Sequence, residues 1–221
     1  MTVPMRKLSA DGSVDPQGVE PEAKQPDTVL SGGSRTMKRI AVVGCGGSGK
    51  STLARRLSGI LILPLTHLDG IYYDGRWNPL SQQEFVAQQE RLTAAERWVI
   101  EGNYAGTLPI RLAAADTVIF LDLPAVTCLR GVLQRRWRYR GGQHRTEGVY
   151  DRITWNFIRY VLGYRRTMRP RVGDLIQEHG SHAQLITLTS RRQANKLIDH
   201  MRRAECCRQM LPRVPAVRWC G

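Results

Sequence analysis

Eight consecutive residues have the types and the spacing needed to bind a polyphosphate. Residues 44–51 read G-C-G-G-S-G-K-S and match the pattern G-x-x-x-x-G-K-[ST] at every fixed position. Glycine lets the backbone turn its N–H groups inward against a phosphate, while Lys50 supplies a cation for the terminal phosphates and Ser51 a hydroxyl ligand for Mg²⁺. The predicted nucleotide-binding residues are Gly44, Gly46, Gly47, Ser48, Gly49, Lys50, Ser51 and Thr52.

A second pattern overlaps this loop. Three of its glycines also spell G-x-G-x-x-G, and Asp69 lies 20 residues after the last of them, where a dinucleotide-binding fold keeps its ribose-binding carboxylate. The Lys-Ser-Thr sequence at 50–52 favours the phosphate-binding loop, because a dinucleotide site does not use Lys and Ser at this point. The flanking residues agree, since 40–43 form an apolar run typical of a buried strand and 52–57 continue as a helix.

Alternating strand and helix patterns follow along the chain. Beside residues 40–43, the predicted strands lie within 60–68 and at 97–100, 117–123 and 184–188. The predicted helices are 52–57, ended by Ser58-Gly59, then 81–96, 108–115, 124–138, 150–168 and 190–204, with a flexible loop at 140–145. This alternation predicts an α/β fold of the P-loop NTPase type, a three-layer sandwich with helices on both faces of a five-stranded parallel sheet. Ligands should bind beyond the carboxyl ends of the strands, which carry Gly44, Asp69, Glu101 and Asp122.

The order of these motifs resembles the adenylate-kinase-like branch of the P-loop proteins, and most closely the bacterial proteins labelled topology modulation protein. The shared pattern is the phosphate loop, H-L-D at 67–69, E-G-N-Y at 101–104, V-I-F-L-D-L-P at 118–124, a short Arg-rich lid at 130–145 and Y-R-R at 164–166. The resemblance covers residues 37–204 and implies a kinase-like protein that uses ATP and Mg²⁺. The family label names no substrate, so the phosphate acceptor is left open.

Two carboxylates acquire roles from this resemblance. Adenylate kinases place a carboxylate at the end of the third strand to hold Mg²⁺ through water, which assigns Glu101, with Ser51, to the metal. Related small-molecule kinases contact the acceptor at the end of the second strand, so Asp69 is the candidate to accept the proton of the attacking hydroxyl. A loop cap for Glu101 and an Asx turn for Asp69 are the structural alternatives. His67 and Asp122 are predicted to be structural.

Five side chains near these strand ends are candidates to surround the acceptor: Arg76, Trp77, Asn103, Tyr104 and Arg111. Tyr and Trp stack on rings, and Arg pairs with anions. Ordinary surface and core packing explains the same residues equally well, so both interpretations stay open. Adenylate kinases carry an arginine four residues after the strand-end Asp to hold the AMP phosphate, and Ala105 occupies that offset from Glu101, which disfavours AMP as the acceptor.

Most of the excess positive charge lies in one segment. The formal net charge is +14, and residues 130–171 contain 12 arginines against two acids. Arg135 stands where adenylate kinases carry a lid arginine, and Arg152, Arg159 and Arg166 are spaced seven apart on one predicted helix face. A lid of this charge would neutralise the γ-phosphoryl group during transfer and exclude water on closing. The alternatives are a solvated basic face and a surface for DNA or RNA phosphates.

The composition of the chain predicts its domain limits and its cellular location. Residues 1–36 are predicted to be a disordered N-terminal tail, 37–204 the P-loop kinase-like domain and 205–221 a loose C-terminal tail. The five cysteines include no C-x-x-C pair, which favours a reduced, cytoplasmic setting. No apolar run is long enough for a membrane span, so no membrane partner is expected.

Together these observations predict an ATP-binding kinase for a small acceptor of nucleotide or nucleoside type. The predicted catalytic residues are Lys50, Asp69 and Arg135, and the predicted substrate-binding residues are Asp69, Arg76, Asn103 and Tyr104. The alternative is a nucleotide-gated nucleic-acid-binding protein that affects DNA topology. The oligomeric state is left open.

Overall fold

The computed structural model describes residues 37–140, 142–144, 149–151 and 153–210, without the side chains of 149, 150 and 208–210. In chain order the elements are β1 (Arg39–Gly44), α1 (Lys50–Leu61), β2 (Leu65–His67), α2 (Asp69–Tyr72), α3 (Gln82–Thr93), β3 (Trp98–Glu101), α4 (Leu108–Ala114), β4 (Thr117–Leu121), α5 (Ala125–Tyr139), β5 (Gly142–His144), β6 (Val149–Asp151), α6 (Trp155–His179), β7 (Gln184–Leu188) and α7 (Arg191–Met210). The predicted tail at 1–36 lies outside the described residues, as do residues 211–221 of the second predicted tail.

Five parallel strands form the central sheet, in the order β2–β3–β1–β4–β7. Ile40 and Val42 of β1 pack in one core cluster with buried residues of α1 and α7. Ala41 and Val43 pack in another, with buried residues of α3, α4 and the C-terminal half of α6. The apolar run in β1 is unbroken because helices cover both faces of the sheet. The predicted three-layer sandwich is confirmed, and β1 delivers its loop to the middle of the sheet's carboxyl edge.

Helix α1 runs past its predicted stop at Ser58-Gly59 and ends at Leu61. The chain reverses at Ile62, which has a φ of 53°, and the Leu63 N–H donates to the Ser58 carbonyl at 3.1 Å. The Ser58 hydroxyl also donates to the Leu63 carbonyl at 2.6 Å. Ser58 therefore closes the end of the helix from within its last turn, while Gly59 stays helical.

Helix α6 differs most from its prediction. It begins at Trp155 rather than residue 150, and it ends at His179 rather than residue 168. Thr154 is the N-cap, because its side chain accepts a hydrogen bond from the Phe157 N–H at 3.2 Å. Pro170 stays inside the helix, since the following turns bury apolar residues that outweigh the proline's cost of about 3 kcal/mol. Neither this helix nor any other within the described residues is long and apolar enough to cross a membrane.

Two segments predicted to be irregular belong to regular elements. The loop expected at 140–145 contributes β5, which pairs antiparallel with β6 in a two-stranded hairpin. The Asp151 side chain of this hairpin is buried and accepts a hydrogen bond from Arg135 of α5, a long-range contact that no local pattern encodes. Helix α7 continues six residues past Ala204, because no glycine or proline intervenes before Pro212.

Helix α5 packs closely on the phosphate-binding loop. A Cβ atom at Gly131 would lie 2.1 Å from the Gly47 carbonyl oxygen, and a Cβ atom at Gly47 would lie 2.2 Å from the Cys128 carbonyl oxygen. These distances are too short for a side chain at either position, so both positions require glycine. The two glycines therefore let the backbone of α5 support the backbone of the loop.

Gly131→Ala is expected to destabilise the protein and weaken ATP binding. In most helix interiors this change stabilises by about 0.5–1 kcal/mol, but here the added methyl group overlaps the loop backbone and should cost about 1–3 kcal/mol. Gly173→Ala is the matched control, because Gly173 lies inside α6 with open space around it. Thermal unfolding and ATP titration of both variants measure the difference, and equal melting temperatures would contradict the close packing.

Candidate active site

The phosphate-binding loop has the geometry of an anion site. Gly47 and Gly49 adopt φ values of 77° and 99°, which side chains rarely allow. Gly49 is also the N-cap of α1, and as a glycine it has no side chain that could accept a hydrogen bond from the N–H groups of the first turn. The first turn of α1 also contains no acidic residue. Lys50 Nζ donates to the Cys45 carbonyl at 2.9 Å and so lies against the loop. The free N–H groups, the helix dipole and the ammonium all favour a bound phosphate.

The two predicted metal-supporting residues are in contact. Ser51 Oγ donates to Oε1 of Glu101 at 2.9 Å, and His67 Nδ1 lies 2.7 Å from the same oxygen. Burial alone would raise the pKa of Glu101, but the hydrogen bonds from its two neighbours and the charge of Lys50 hold that pKa below its ordinary value. Glu101 is therefore ionised at neutral pH although it is only 4% exposed. An ionised carboxylate accepts only, so His67 carries a proton on Nδ1.

The oxygen atoms of this pair suit Mg²⁺. Oε2 of Glu101 accepts no hydrogen bond within the described part of the chain, and both Glu101 and Ser51 line the cleft. A hydroxyl and a carboxylate are hard ligands of the kind that Mg²⁺ takes, with phosphates and water completing its shell. The described residues contain no group of three or more His, Cys, Asp or Glu that could hold a metal alone.

Asp69 lines the same cleft and carries a hydrogen bond from Tyr104. The Tyr104 hydroxyl donates to Oδ1 of Asp69 at 2.6 Å. Burial and the negative charge of Glu101 raise the pKa of Asp69, and the hydrogen bond from Tyr104 offsets them only in part. Burial and Asp69 likewise raise the pKa of Tyr104, so the phenol keeps its proton. A carboxylate with a raised pKa, held in one orientation, is suited to accept a proton.

Arg111, a predicted acceptor-pocket residue, lies behind the site. Its guanidinium is fully buried and donates to the Gln89 side chain and to the carbonyls of Gly102 and Asn103, at 3.2 and 3.3 Å for the carbonyls. Burial lowers the pKa of Arg111 to about 9, so it remains a cation at neutral pH. Arg111 therefore fixes the turn that follows β3 instead of lining the cleft.

Only some of the other predicted substrate-binding residues lie in the cleft. Tyr104 lines the cleft, whereas Arg76 and Asn103 do not. Arg76 is exposed on the loop after α2. The Asn103 side chain donates to the Tyr160 hydroxyl at 2.8 Å, which joins the turn after β3 to α6. Among the predicted phosphate-binding residues, Gly44 does not line the cleft and instead packs against β4.

One cleft of about 980 Å³ contains most of the predicted residues. It is lined by the loop at 46–52 together with Asp69, Trp77, Glu101, Tyr104 and Arg135. It is also lined by residues to which the sequence patterns assigned no role in the site, among them Tyr73, Phe157, Arg191 and Asn195. The aromatic composition of 71–77 was a usable signal for Tyr73. The sequence contains no comparable signal for the cleft residues of α6 and α7. Those residues reach the phosphate-binding loop only because helices that are distant in sequence pack against each other.

Five arginines bring positive charge into the cleft, and two of them, Arg55 and Arg56, come from α1. Arg135 and Arg138 come from α5, and Arg191 comes from the start of α7. Arg135 Nε donates to Oδ1 of Asp151 at 3.0 Å, which ties it to the β5–β6 hairpin. Arg191 lies beside Gly131 and thus beside the phosphate-binding loop. The cations therefore surround the position that the loop prepares for a phosphate.

The predicted arginine series on the later helix lies elsewhere. Arg159 and Arg166 are exposed on α6 and do not line the cleft, and Arg152 lies outside the described residues. Asp122 is buried, does not line the cleft and accepts a hydrogen bond from Arg169 Nε at 2.6 Å. This contact anchors α6 to the end of β4, in agreement with the structural role predicted for Asp122.

Comparison with known proteins identifies the fold. No family model and no curated protein matches the chain. Shikimate kinase from Acinetobacter baumannii in complex with shikimate is similar over 79% of this chain and 96% of that chain, with a TM-score of 0.51 and 16% identity. A shikimate kinase from Aquifex aeolicus has a TM-score of 0.44 at 16% identity over 79% and 99% of the two chains. A gluconokinase from Sinorhizobium meliloti 1021 has a TM-score of 0.43 at 14% identity over 79% and 94%. The chain therefore has the α/β fold of the P-loop kinases.

Proposed function

We propose that the protein is an ATP- and Mg²⁺-dependent kinase that transfers the γ-phosphoryl group to a hydroxyl of a small-molecule acceptor. The observation that carries this proposal is the arrangement of two carboxylates in one cleft with the phosphate-binding loop. Glu101 contacts Ser51 and is ionised, as a metal-supporting group requires, whereas Asp69 has a raised pKa and a fixed orientation, as a proton acceptor requires. The likeness to a kinase structure that contains its acceptor supports the same function.

Each group has a defined task in this reaction. The N–H groups of the loop and Lys50 bind the β- and γ-phosphates. Mg²⁺, held by Ser51 and the Glu101 carboxylate, would neutralise charge on the phosphates. Asp69 orients the acceptor hydroxyl and takes its proton, while Arg135 stabilises the charge that develops on the transferred group. Helix α5, which lines one side of the cleft, would help to exclude water from it.

Three more specific predictions about family, DNA and location go beyond the proposed kinase activity. Membership of the topology modulation proteins, a role on DNA and a cytoplasmic location rest on sequence reasoning. The surface around Trp137 supports a nucleic-acid role, because this 87% exposed indole lines a second pocket of about 550 Å³ together with Arg136, Arg140 and the cleft residue Arg138. Binding of labelled DNA that is strong at low salt and falls steeply as salt rises would support that role.

Phosphate transfer from γ-labelled ATP tests the proposed function. We expect the protein to bind ATP and to label at least one member of a panel of nucleosides, nucleotides, sugars and hydroxy acids. Labelling should require Mg²⁺ and stop when EDTA is added. A protein that binds no ATP in the presence of Mg²⁺ would refute the kinase proposal, whatever acceptors are offered.

A further inference from the structure

The loop after α2 holds a tryptophan in an unusual backbone conformation at the cleft. Trp77 has a φ of 65°, a left-handed value that a bulky side chain rarely adopts, and it lines the cleft. Asp74 holds the loop in this shape, since its Oδ1 accepts from the N–H groups of Arg76 and Asn78, each at 2.8 Å. The Trp77 N–H donates to the Asp74 carbonyl at 3.2 Å. Strain of this kind at a cleft is a reason to look for a binding role.

A continuous row of aromatic rings joins this tryptophan to the predicted proton acceptor. Ring centroids are 5.4 Å apart for Trp77 and Tyr73, and 4.8 Å apart for Tyr73 and Tyr72. Tyr72 in turn lies 5.0 Å from Tyr104, whose hydroxyl donates to Asp69. The Asp69 carboxylate and the Trp77 indole therefore belong to one packed unit, in which displacement of one ring would shift the rings packed against it.

The hairpin also contacts this unit. Gln143 of β5 donates from Nε2 to the Asp74 carbonyl at 2.7 Å. The strand β5 is joined through β6 to Arg135, because Asp151 accepts from that arginine. The loop that presents Trp77 thus contacts the hairpin that is hydrogen-bonded to Arg135.

The charges at this end of the cleft disfavour an anionic acceptor. The cleft side chains that belong to this aromatic unit are Asp69, Tyr73, Trp77 and Tyr104, whereas the arginines that line the cleft come from α1, α5 and α7. Arg76 is the neighbouring cation along the chain, but it is exposed and does not line the cleft. Lys50 and Arg135 both act on Asp69, but the proposed reaction assigns them to the phosphates of ATP, while Glu101 already places a negative charge near Asp69. A carboxylate or phosphate on the acceptor would add a further negative charge beside two carboxylates.

From this arrangement we infer that the acceptor is an uncharged, ring-bearing polyol whose flat face stacks on Trp77 while one hydroxyl reaches Asp69. A nucleoside or a free sugar has this chemistry, because each combines a ring face with several hydroxyl groups. Trp77 is then a specificity-determining residue for the acceptor. The inference rests on the proposed kinase function and adds the class of substrate to it.

The transfer balances with these groups. The acceptor oxygen attacks the γ-phosphorus and forms a new O–P bond, while the bond between that phosphorus and the β,γ-bridging oxygen breaks. ADP leaves with the electron pair of that bond. The acceptor proton passes to Asp69, whose Oδ2 accepts no hydrogen bond among the described residues while Tyr104 occupies Oδ1.

Two substitutions of Trp77 separate stacking from folding. Glycine accepts a φ of 65° without strain, so Trp77→Gly keeps the loop conformation while removing the ring. Trp77→Phe keeps an aromatic face. Trp155→Ala is the control, because Trp155 is exposed at the start of α6 and does not line the main cleft. Acceptor KM, ATP KM and Tm are measured for the three variants, with nucleosides, free sugars, nucleoside monophosphates and hydroxy acids in separate arms.

We expect transfer to nucleosides or to sugars, with little to either anionic arm. Acceptor KM should rise about ten-fold or more in Trp77→Gly, consistent with the loss of one stacked ring, and stay within about three-fold in Trp77→Phe. ATP KM and Tm should change little in both, and Trp155→Ala should resemble wild type. Preferred transfer to an anionic arm, no transfer to any neutral ring compound, or an unchanged acceptor KM in Trp77→Gly would each overturn the inference. The kinase proposal would survive these results as long as Mg²⁺-dependent ATP binding persists.

Discussion

Lys50→Ala is expected to remove nearly all nucleotide turnover while leaving the protein folded. The ammonium is the group that can follow charge from the β- to the γ-phosphate as transfer proceeds. Loss of one such preorganised charge commonly lowers kcat by about 10²–10³-fold. The effect on stability should be small, because the structure gives Lys50 Nζ one hydrogen bond, to the Cys45 carbonyl, on a loop that other contacts support.

The control for this variant is Lys196→Ala, which removes an exposed lysine of α7 that does not line the cleft. Circular dichroism and thermal unfolding establish that both variants are folded. ATP affinity is then measured by equilibrium dialysis and turnover by release or transfer of labelled phosphate. Wild-type binding and turnover in the Lys50 variant would mean that the loop does not serve a triphosphate.

The phosphate-binding loop and the strand ends were predictable because each is encoded locally. The spacing of glycines, Lys50 and Ser51 needs only the eight residues of the motif. Strand β1 is marked by an apolar run, since helices bury both of its faces. The contact between Ser51 and Glu101 then follows from topology, because β1 and β3 are adjacent parallel strands that end at the same edge.

The remainder of the site depends on long-range packing that no local pattern contains. The closeness of α5 to the loop requires Gly131 and Gly47 to meet, although they lie in separate elements. Helix α6 passes through Pro170 because the residues beyond it find a second core cluster to fill. The positive φ of Trp77 results from hydrogen bonds to Asp74 rather than from a glycine, which would have marked such a turn in the sequence.

Asp69→Asn is expected to lower phosphate transfer by about 10²–10⁴-fold, with ATP affinity little changed. Asparagine keeps an oxygen that can accept from the Tyr104 hydroxyl, so the packing around the site should persist. The amide of the variant, however, cannot take the proton of the acceptor hydroxyl. The variant also removes a half-buried carboxyl group, and this has a second measurable consequence.

The sign of that consequence follows from the raised pKa of Asp69. A carboxyl whose pKa is higher in the folded state stabilises the fold most below the unfolded value of 3.8 and loses that contribution as the pH rises through the folded pKa. Ionisation of this side chain as the pH rises therefore opposes folding. Asp69→Asn should unfold at a temperature equal to or above that of the wild type, measured by calorimetry at pH 7, although it is nearly inactive.

The pH dependence of transfer completes this prediction. Asp69 must be ionised to accept a proton, so kcat should fall on the acid side at a pH above that of an ordinary aspartate. Tyr104→Phe removes a hydrogen bond that lowers the pKa of Asp69, and it should move this acid limb to a still higher pH while activity at its optimum persists. An acid limb that stays in place in Tyr104→Phe, or full transfer activity in Asp69→Asn, would assign the proton to another acceptor. A melting temperature clearly below wild type in Asp69→Asn would instead show that the buried carboxylate stabilises the fold, because its removal should otherwise relieve the cost of burying a charge.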